Sequence, residues 1–223
     1  MSESFPRIRL VGESAILLEL DESIDIQVNH RILKLDVQLR KTHLPGVKEW
    51  IPAYSSILVL YDPVQVSYSA VSQWLEDCAQ NPIEGIDIDP QVIEIPVRYG
   101  GNEGPDLQFV ANYHGLTPRQ LVEKHAAQLY NVAMMGFTPG FAYLMGLDPT
   151  LRTPRLSTPR TKVPAGSVGI ADQQTGIYPL DSPGGWQIIG KTSRSLFNPE
   201  QPPHFLFSPG DLVRFIPVDG GLD

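Results

Sequence analysis

The eight residues from Gly185 to Thr192, GWQIIGKT, satisfy the G-x-x-x-x-G-K-T pattern of a phosphate-binding loop. In such a loop small residues let backbone N–H groups wrap the phosphates, and a helix N-terminus follows. Here the intervening positions are Trp186, Gln187, Ile188 and Ile189, whose bulk favours a buried extended strand. Ser182-Pro183-Gly184 precedes them as a turn, and SRSLFNP behind them is too short for a helix ahead of Pro199. The match is therefore read as accidental. Other reactive patterns fail as well. Ser167 in AGSVG lacks the G-x-S-x-G spacing of a nucleophile elbow. The histidines at positions 30, 43, 114, 125 and 204 show no zinc-like pairing, and the lone Cys78 supports neither an internal disulfide nor a Cys-based metal site, so no metal is expected.

Three features remain that could do chemistry. Arg152, Arg155, Arg160 and Lys162 fall in LRTPRLSTPRTK with no acid among them, and Pro154 and Pro159 hold the segment extended. Such a cationic strip either grips a carboxylate or phosphate, or is solvated or paired with the acidic first half. His125 follows Leu121 by one helical turn. It is either a half-buried histidine on an apolar face or a ligand or acid–base group with a suitable ordinary pKa. Phe137, Phe141, Tyr143, Tyr178 and Trp186 either line a groove or fill a core. Tyr143, Tyr178 and Trp186 are the stronger groove candidates, because their polar tips need partners.

The elements that must position these residues fall into two textures. In the first half, RIRLVGESAILLEL reads as two strands around Gly12-Glu13, and VKEWIPA and SSILVLYD as two more. Val28, Ile32, Leu35 and Leu39 recur at helical spacing, with Asn29, Lys34, Gln38 and Lys41 expected on the surface. Tyr68, Val71, Leu75 and Cys78 mark the inner face of a second helix. The order ββαββα fits an α+β sandwich over residues 1–82. NPIEGIDIDPQ, rich in Pro and acids, supplies a linker over 83–91, and a second domain covers 92–223. In it Thr117-Pro118-Arg119-Gln120 is a capping box, and 12 of the 21 prolines lie between Gly136 and Pro217 among short apolar runs. Short strands between Gly/Pro corners suggest a compact β-barrel.

Composition narrows the partners. With 42% hydrophobic and 19% charged residues the chain is a globular protein, and its net charge of −8 argues against nucleic acid or an anionic membrane surface as partner. MSESFPRIRL has no signal-peptide pattern and no apolar run is long enough to span a bilayer, so a cytoplasmic location is expected.

Three long motifs, GFTPGFAYLMGLDP, TPRLSTPRTKVPAGSVGI and QTGIYPLDSPGGWQIIGKT, together with RYGGNEGPDL and the LVEKH helix, resemble the KipI/PxpB family. This family is also called allophanate hydrolase subunit 1 or carboxyltransferase subdomain C/D. The resemblance covers essentially the whole chain. It implies a ferredoxin-like first domain, a cyclophilin-like β-barrel second domain, and the role of the PxpB component in a bacterial ATP-dependent 5-oxoprolinase. The implied partners are a KipA/PxpC-type and a LamB/YcsF (PxpA)-type subunit, with ATP as co-substrate of the complex and Mg a candidate companion. Two other roles known in the family are inhibition of a sporulation histidine kinase and one half of a carboxyltransferase acting on a urea-like substrate. Mapped onto the three motifs, the implied groove comprises Phe137, Pro139, Gly140, Phe141 and Tyr143, then Arg155, Arg160 and Lys162, then Gln174, Thr175, Tyr178, Trp186 and Lys191. His125 is the one candidate acid–base group.

Overall fold

Alternating apolar residues in AILLE and SILVLY set one face of the first sheet. In the computed structural model, which describes residues 5–83, 85 and 88–218, these segments are β2 (Ala15–Glu19) and β4 (Ser56–Tyr61). With β1 (Arg7–Val11) and β3 (Val47–Pro52) they form a four-stranded antiparallel sheet in the order β1-β2-β4-β3. Ile16, Leu18, Ile57, Val59 and Tyr61 point to one side, as the two-residue period of a strand requires. There they meet Val28, Ile32, Leu35 and Leu39 of α1 (Ile26–Thr42) and Val71, Leu75 and Cys78 of α2 (Tyr68–Gln80). Asp25 caps α1 by accepting from the N–H groups of Gln27 and Val28, and Ser67 caps α2 through Ala70 N–H.

Two surface assignments on α1 are corrected. Asn29 is fully buried and donates from Nδ2 to the carbonyls of Ala53 and Tyr54. Gln38 is also buried; its Nε2 donates to Asn81 O and its Oε1 accepts from Ile83 N–H. Both amides satisfy loop backbone that no strand partner reaches, which a helical apolar stripe does not register. Tyr68, by contrast, opens α2 on its exposed side.

Residues up to Asp89 form one compact unit and residues from Pro90 a second. In the second, β5 (Val92–Tyr99), β6 (Leu129–Met135), β7 (Ala142–Met145), β9 (Ser167–Ala171), β10 (Gln174–Ile177), β12 (Gln187–Lys191) and β13 (Leu212–Pro217) close into a barrel in the order β10-β7-β6-β13-β5-β12-β9. β13 runs parallel to β5 and all other neighbours are antiparallel. A two-stranded ribbon, β8 (Arg160–Val163) with β11 (Ser182–Gly184), lies outside the barrel order. Two short helices, α3 (Leu107–Tyr113) and α4 (Pro118–Ala126), precede β6, and the capping box of α4 is formed, with Thr117 Oγ1 accepting from Gln120 N–H.

The formal phosphate-loop pattern is a buried strand here, as its bulky residues imply. Gly190 is needed there for packing: a Cβ at that position would stand 2.7 Å from Arg98 O on β5. Among the described residues no helix is long and apolar enough to cross a membrane.

Candidate functional site

The loop between β6 and β7 is closed by Gly136 N–H donating to Phe141 O and Phe141 N–H donating to Thr138 O. This tight path places Phe137 at φ 70, a left-handed conformation that costs a bulky residue of order 1 kcal/mol or more. Phe137 is also 62% exposed. An aromatic residue held in a strained backbone and left in solvent marks a rim. Behind it, Phe141 is the hub of an aromatic cluster. Its ring centroid lies 4.8 Å from Tyr143, 5.3 Å from Tyr178 and 5.5 Å from Trp186, mostly edge to face.

These rings and Arg155, with Pro159, Pro183, Gly184 and Gly185, line a cavity of ≈ 230 Å³. Burial raises the pKa of both Tyr143 and Tyr178, so at neutral pH the two phenols are protonated hydroxyls. Arg155 is oriented by Asp172, whose carboxylate lies 3.3 Å from Nε. Asp172 itself sits at φ 52 in the turn between β9 and β10. No Asp, Glu or His lines the cavity among the described residues. The pocket thus offers apolar faces, two neutral hydroxyls and one guanidinium. It can orient a small planar polar molecule or an aromatic-flanked segment, and it brings no proton acceptor of its own.

The floor is fixed by a salt bridge. Arg160 Nη2 donates to both carboxylate oxygens of Asp106, at 2.7 and 2.9 Å, and Nη1 donates to Trp186 O. Asp106 also accepts from Ile188 N–H at 2.6 Å, so one carboxylate ties α3, β8 and β12 together. Gly184 is required at the wall, because a Cβ there would overlap the Tyr178 ring, 2.8 Å from Cζ.

Several sequence expectations resolve differently. Three of the four cations in the strip have counter-ions. Arg160 pairs with Asp106, Arg155 with Asp172, and Lys162 with Asp181 at 2.8 Å, so the counter-ions come from the second unit and not from the acidic first half. Spacing within LRTPRLSTPRTK could not show this, since all three acids are supplied by other loops.

His125 as a catalytic group is corrected. It is fully buried in the barrel, with Nδ1 2.9 Å from Tyr99 Oη and Nε2 2.9 Å from Thr175 Oγ1, and its ring stacks on Phe215 at 4.6 Å. Burial lowers its pKa to about 3, so at neutral pH it is an uncharged core residue with both nitrogens engaged.

Thr175 and Gln174 are buried in β10, and Thr175 is tied to His125 and Gly169 O rather than to a groove. Pro139 is exposed and Gly140 buried in the β6–β7 loop, outside the lining of the aromatic cavity. Lys191 lines a different cleft. Phe137, Phe141, Tyr143, Arg155, Tyr178 and Trp186 do come together. Sequence reasoning did not select Pro159, Pro183, Gly184 or Gly185 as lining; the SPGG turn ahead of Trp186 was the available signal.

The fold and the site together define a small closed β-barrel with an aromatic pocket walled by irregular Gly/Pro loops. The chain belongs to the family described as carboxyltransferase domain, subdomain C and D, whose model matches residues 6–207. It is 44% identical over 220 residues to the 5-oxoprolinase B subunit of Escherichia coli O157:H7, covering 97% of this chain and 98% of that one. It is 38% identical over 222 residues to the 5-oxoprolinase B subunit of Bacillus subtilis, covering 95% and 92% respectively. The crystal structure of TTHA0988 superposes with a TM-score of 0.81 at 37% identity; 96% of this chain aligns, but it spans only 40% of that longer chain.

Proposed function

We propose that this chain is the B-type subunit of a 5-oxoprolinase, a hydrolase component active only with partner subunits. The observation that carries this reading is the nearly end-to-end likeness to two proteins named as that subunit. The aromatic pocket supports it chemically. A five-membered lactam with one carboxylate suits a small cavity with ring faces, two phenol donors and one guanidinium. Arg155 is the residue proposed to take the carboxylate, exchanging its exposed partner Asp172, while Tyr143 or Tyr178 donates to the lactam oxygen.

The lactam is a resonance-stabilised amide. Transfer of the terminal phosphoryl group of ATP to its oxygen, with ADP leaving, would make the ring carbon electrophilic. Addition of water there and expulsion of the protonated ring nitrogen would open the C–N bond to an acyl phosphate, whose hydrolysis releases phosphate and glutamate. Water-excluding walls and preformed donors favour such a step. The base that activates water is assigned to a partner chain, in keeping with a lining that carries no carboxylate or imidazole. The partners proposed are of the KipA/PxpC and LamB/YcsF (PxpA) types, with ATP, accompanied by Mg, as co-substrate of the complex and the cytoplasm as location.

The finer fold names belong to the same proposal. Transferring β1 to the far end of the first unit would give β-α-β-β-α-β, which supports a ferredoxin-like sandwich in permuted order. The second unit is proposed as a cyclophilin-like barrel.

The test is reconstitution: 5-oxoproline-dependent ATP hydrolysis by the partner subunits with and without this chain. Activity that requires the chain, and a raised KM for 5-oxoproline in Arg155→Gln, is expected. Equal rates in its absence would overturn the assignment.

A further inference from the structure

A second cavity of ≈ 440 Å³, larger than the aromatic pocket, opens where the end of β12 meets β5. Its walls are Pro96, Ala165, Gly166, Pro179 and Val218, and its polar lining is Arg98, Glu103, Lys191, Thr192, Ser193, Arg194 and Ser195. Tyr178 lines the aromatic pocket and Pro179 this cleft, so the chain segment leaving β10 separates the two.

Arg98 and Lys191 stand directly opposite each other in the antiparallel register of β5 and β12. Like charges in that position repel and destabilise the pair. Arg194 adds a third cation, with Nη1 donating to the carbonyl of Glu94 at 3.3 Å. Against these three cations the lining sets one carboxylate, Glu103, which is 3.7 Å from Arg98. Lys191 also helps to lower the pKa of Asp181, but that carboxylate is already held by Lys162 at 2.8 Å and by Ala165 N–H. Among the described residues no carboxylate oxygen lies within 4.0 Å of Lys191 Nζ or the Arg194 guanidinium. The lining therefore carries two more positive than negative charges in a chain whose net charge is −8.

The cleft is also built rather than accidental. Thr192 N–H donates to Gly166 O, and Gly166 N–H to Tyr178 O, locking three segments together. Thr192 Oγ1 accepts from Arg194 N–H, which fixes the turn presenting the Ser193-Arg194-Ser195 segment.

We propose that this cleft binds the phosphate group of a small molecule. Two guanidinium or ammonium donors beyond the one that Glu103 offsets match a phosphate dianion, where a carboxylate would leave half the excess uncompensated. Guanidinium forks bind phosphate oxygens in pairs, and the Ser193 hydroxyl in the cleft lining supplies a further donor. The volume exceeds what a lone phosphate needs, leaving room for the rest of a phosphomonoester or nucleotide. The formal G-K-T pattern thus ends at a phosphate-binding surface after all, by the end of a strand and not by a loop at a helix N-terminus. The inference rests on the cleft alone and does not depend on the oxoprolinase assignment.

The experiment is calorimetric titration of the full chain with inorganic phosphate, ADP and acetate at matched ionic strength. Phosphate or ADP binding below about 10 mM is expected, with acetate at least tenfold weaker. Arg194→Gln and Lys191→Gln should each lower phosphate affinity by about tenfold, the loss typical of one charge-assisted hydrogen bond. The surface control Arg119→Gln should change nothing, and circular dichroism of each variant confirms folding. ADP binding more tightly than phosphate would identify a nucleotide as the source of the phosphate; equal affinities would identify phosphate or a phosphomonoester. No heat with either phosphate probe, acetate binding as well as phosphate, or affinities unchanged in both variants would overturn the proposal.

Discussion

His125 shows how one side chain can be polar in type and structural in role. Its imidazole bridges Tyr99 and Thr175 inside an apolar barrel, and burial holds it neutral. The folded state binds its proton only near pH 3, whereas the unfolded chain binds one below its ordinary value of 6.5. The folded pKa is depressed, so the stability contributed by the neutral ring is fully present above pH 6.5. It is lost as pH falls from there toward 3, by at most about 1.4 kcal/mol per pH unit. Urea unfolding at pH 7 and pH 5 should show this loss in the native chain. His125→Gln, which keeps hydrogen-bonding capacity but does not titrate, should be less stable at pH 7 and lack this component of the pH dependence. An identical pH response in the two proteins would assign the acid sensitivity to other groups.

At the scale of elements, Asp106 joins three of them with one carboxylate. It receives two bonds from Arg160 on β8 and one from the backbone of β12, while its own N–H donates to Ile188 O. Asp106→Ala should therefore cost about 3 kcal/mol, because it strands a half-buried guanidinium as well as removing a bond to Ile188 N–H. Since Arg160 also holds Trp186 O, the loosened ribbon should disturb the aromatic pocket, readable as altered near-ultraviolet circular dichroism. A near-neutral change in unfolding free energy would mean that water replaces the carboxylate at no cost. The proline-rich strip was legible as cationic and extended. Its pairing was not, because Asp106, Asp172 and Asp181 reach it from separate loops.

At the scale of the whole molecule, each unit has its own core. The first gathers residues no later than Ala79, and the barrel clusters gather residues from Ile93 onward. A fragment of residues 90–223 should accordingly fold alone, with cooperative thermal unfolding and a near-ultraviolet spectrum from its packed aromatic residues. A fragment that binds hydrophobic dyes and melts without a transition would show that the barrel needs the first unit. Neither helical nor strand periodicity continues through the acidic, proline-containing stretch in which the sequence reading places a linker.

Local chemistry in the chain sufficed for the elements: two-residue alternation made the strands of the first sheet, a helical stripe made α1, and Thr117 with Gln120 began α4. The motif-bearing aromatics were also recognisable as a set. What the chain order could not express were relations across the closed barrel. Closure sealed His125 among Tyr99, Thr175 and Phe215, and folding paired Arg155, Arg160 and Lys162 with Asp172, Asp106 and Asp181. It also set Arg98 opposite Lys191. Burial and charge balance depend on distances through space, and those are fixed only when strands distant in sequence pair.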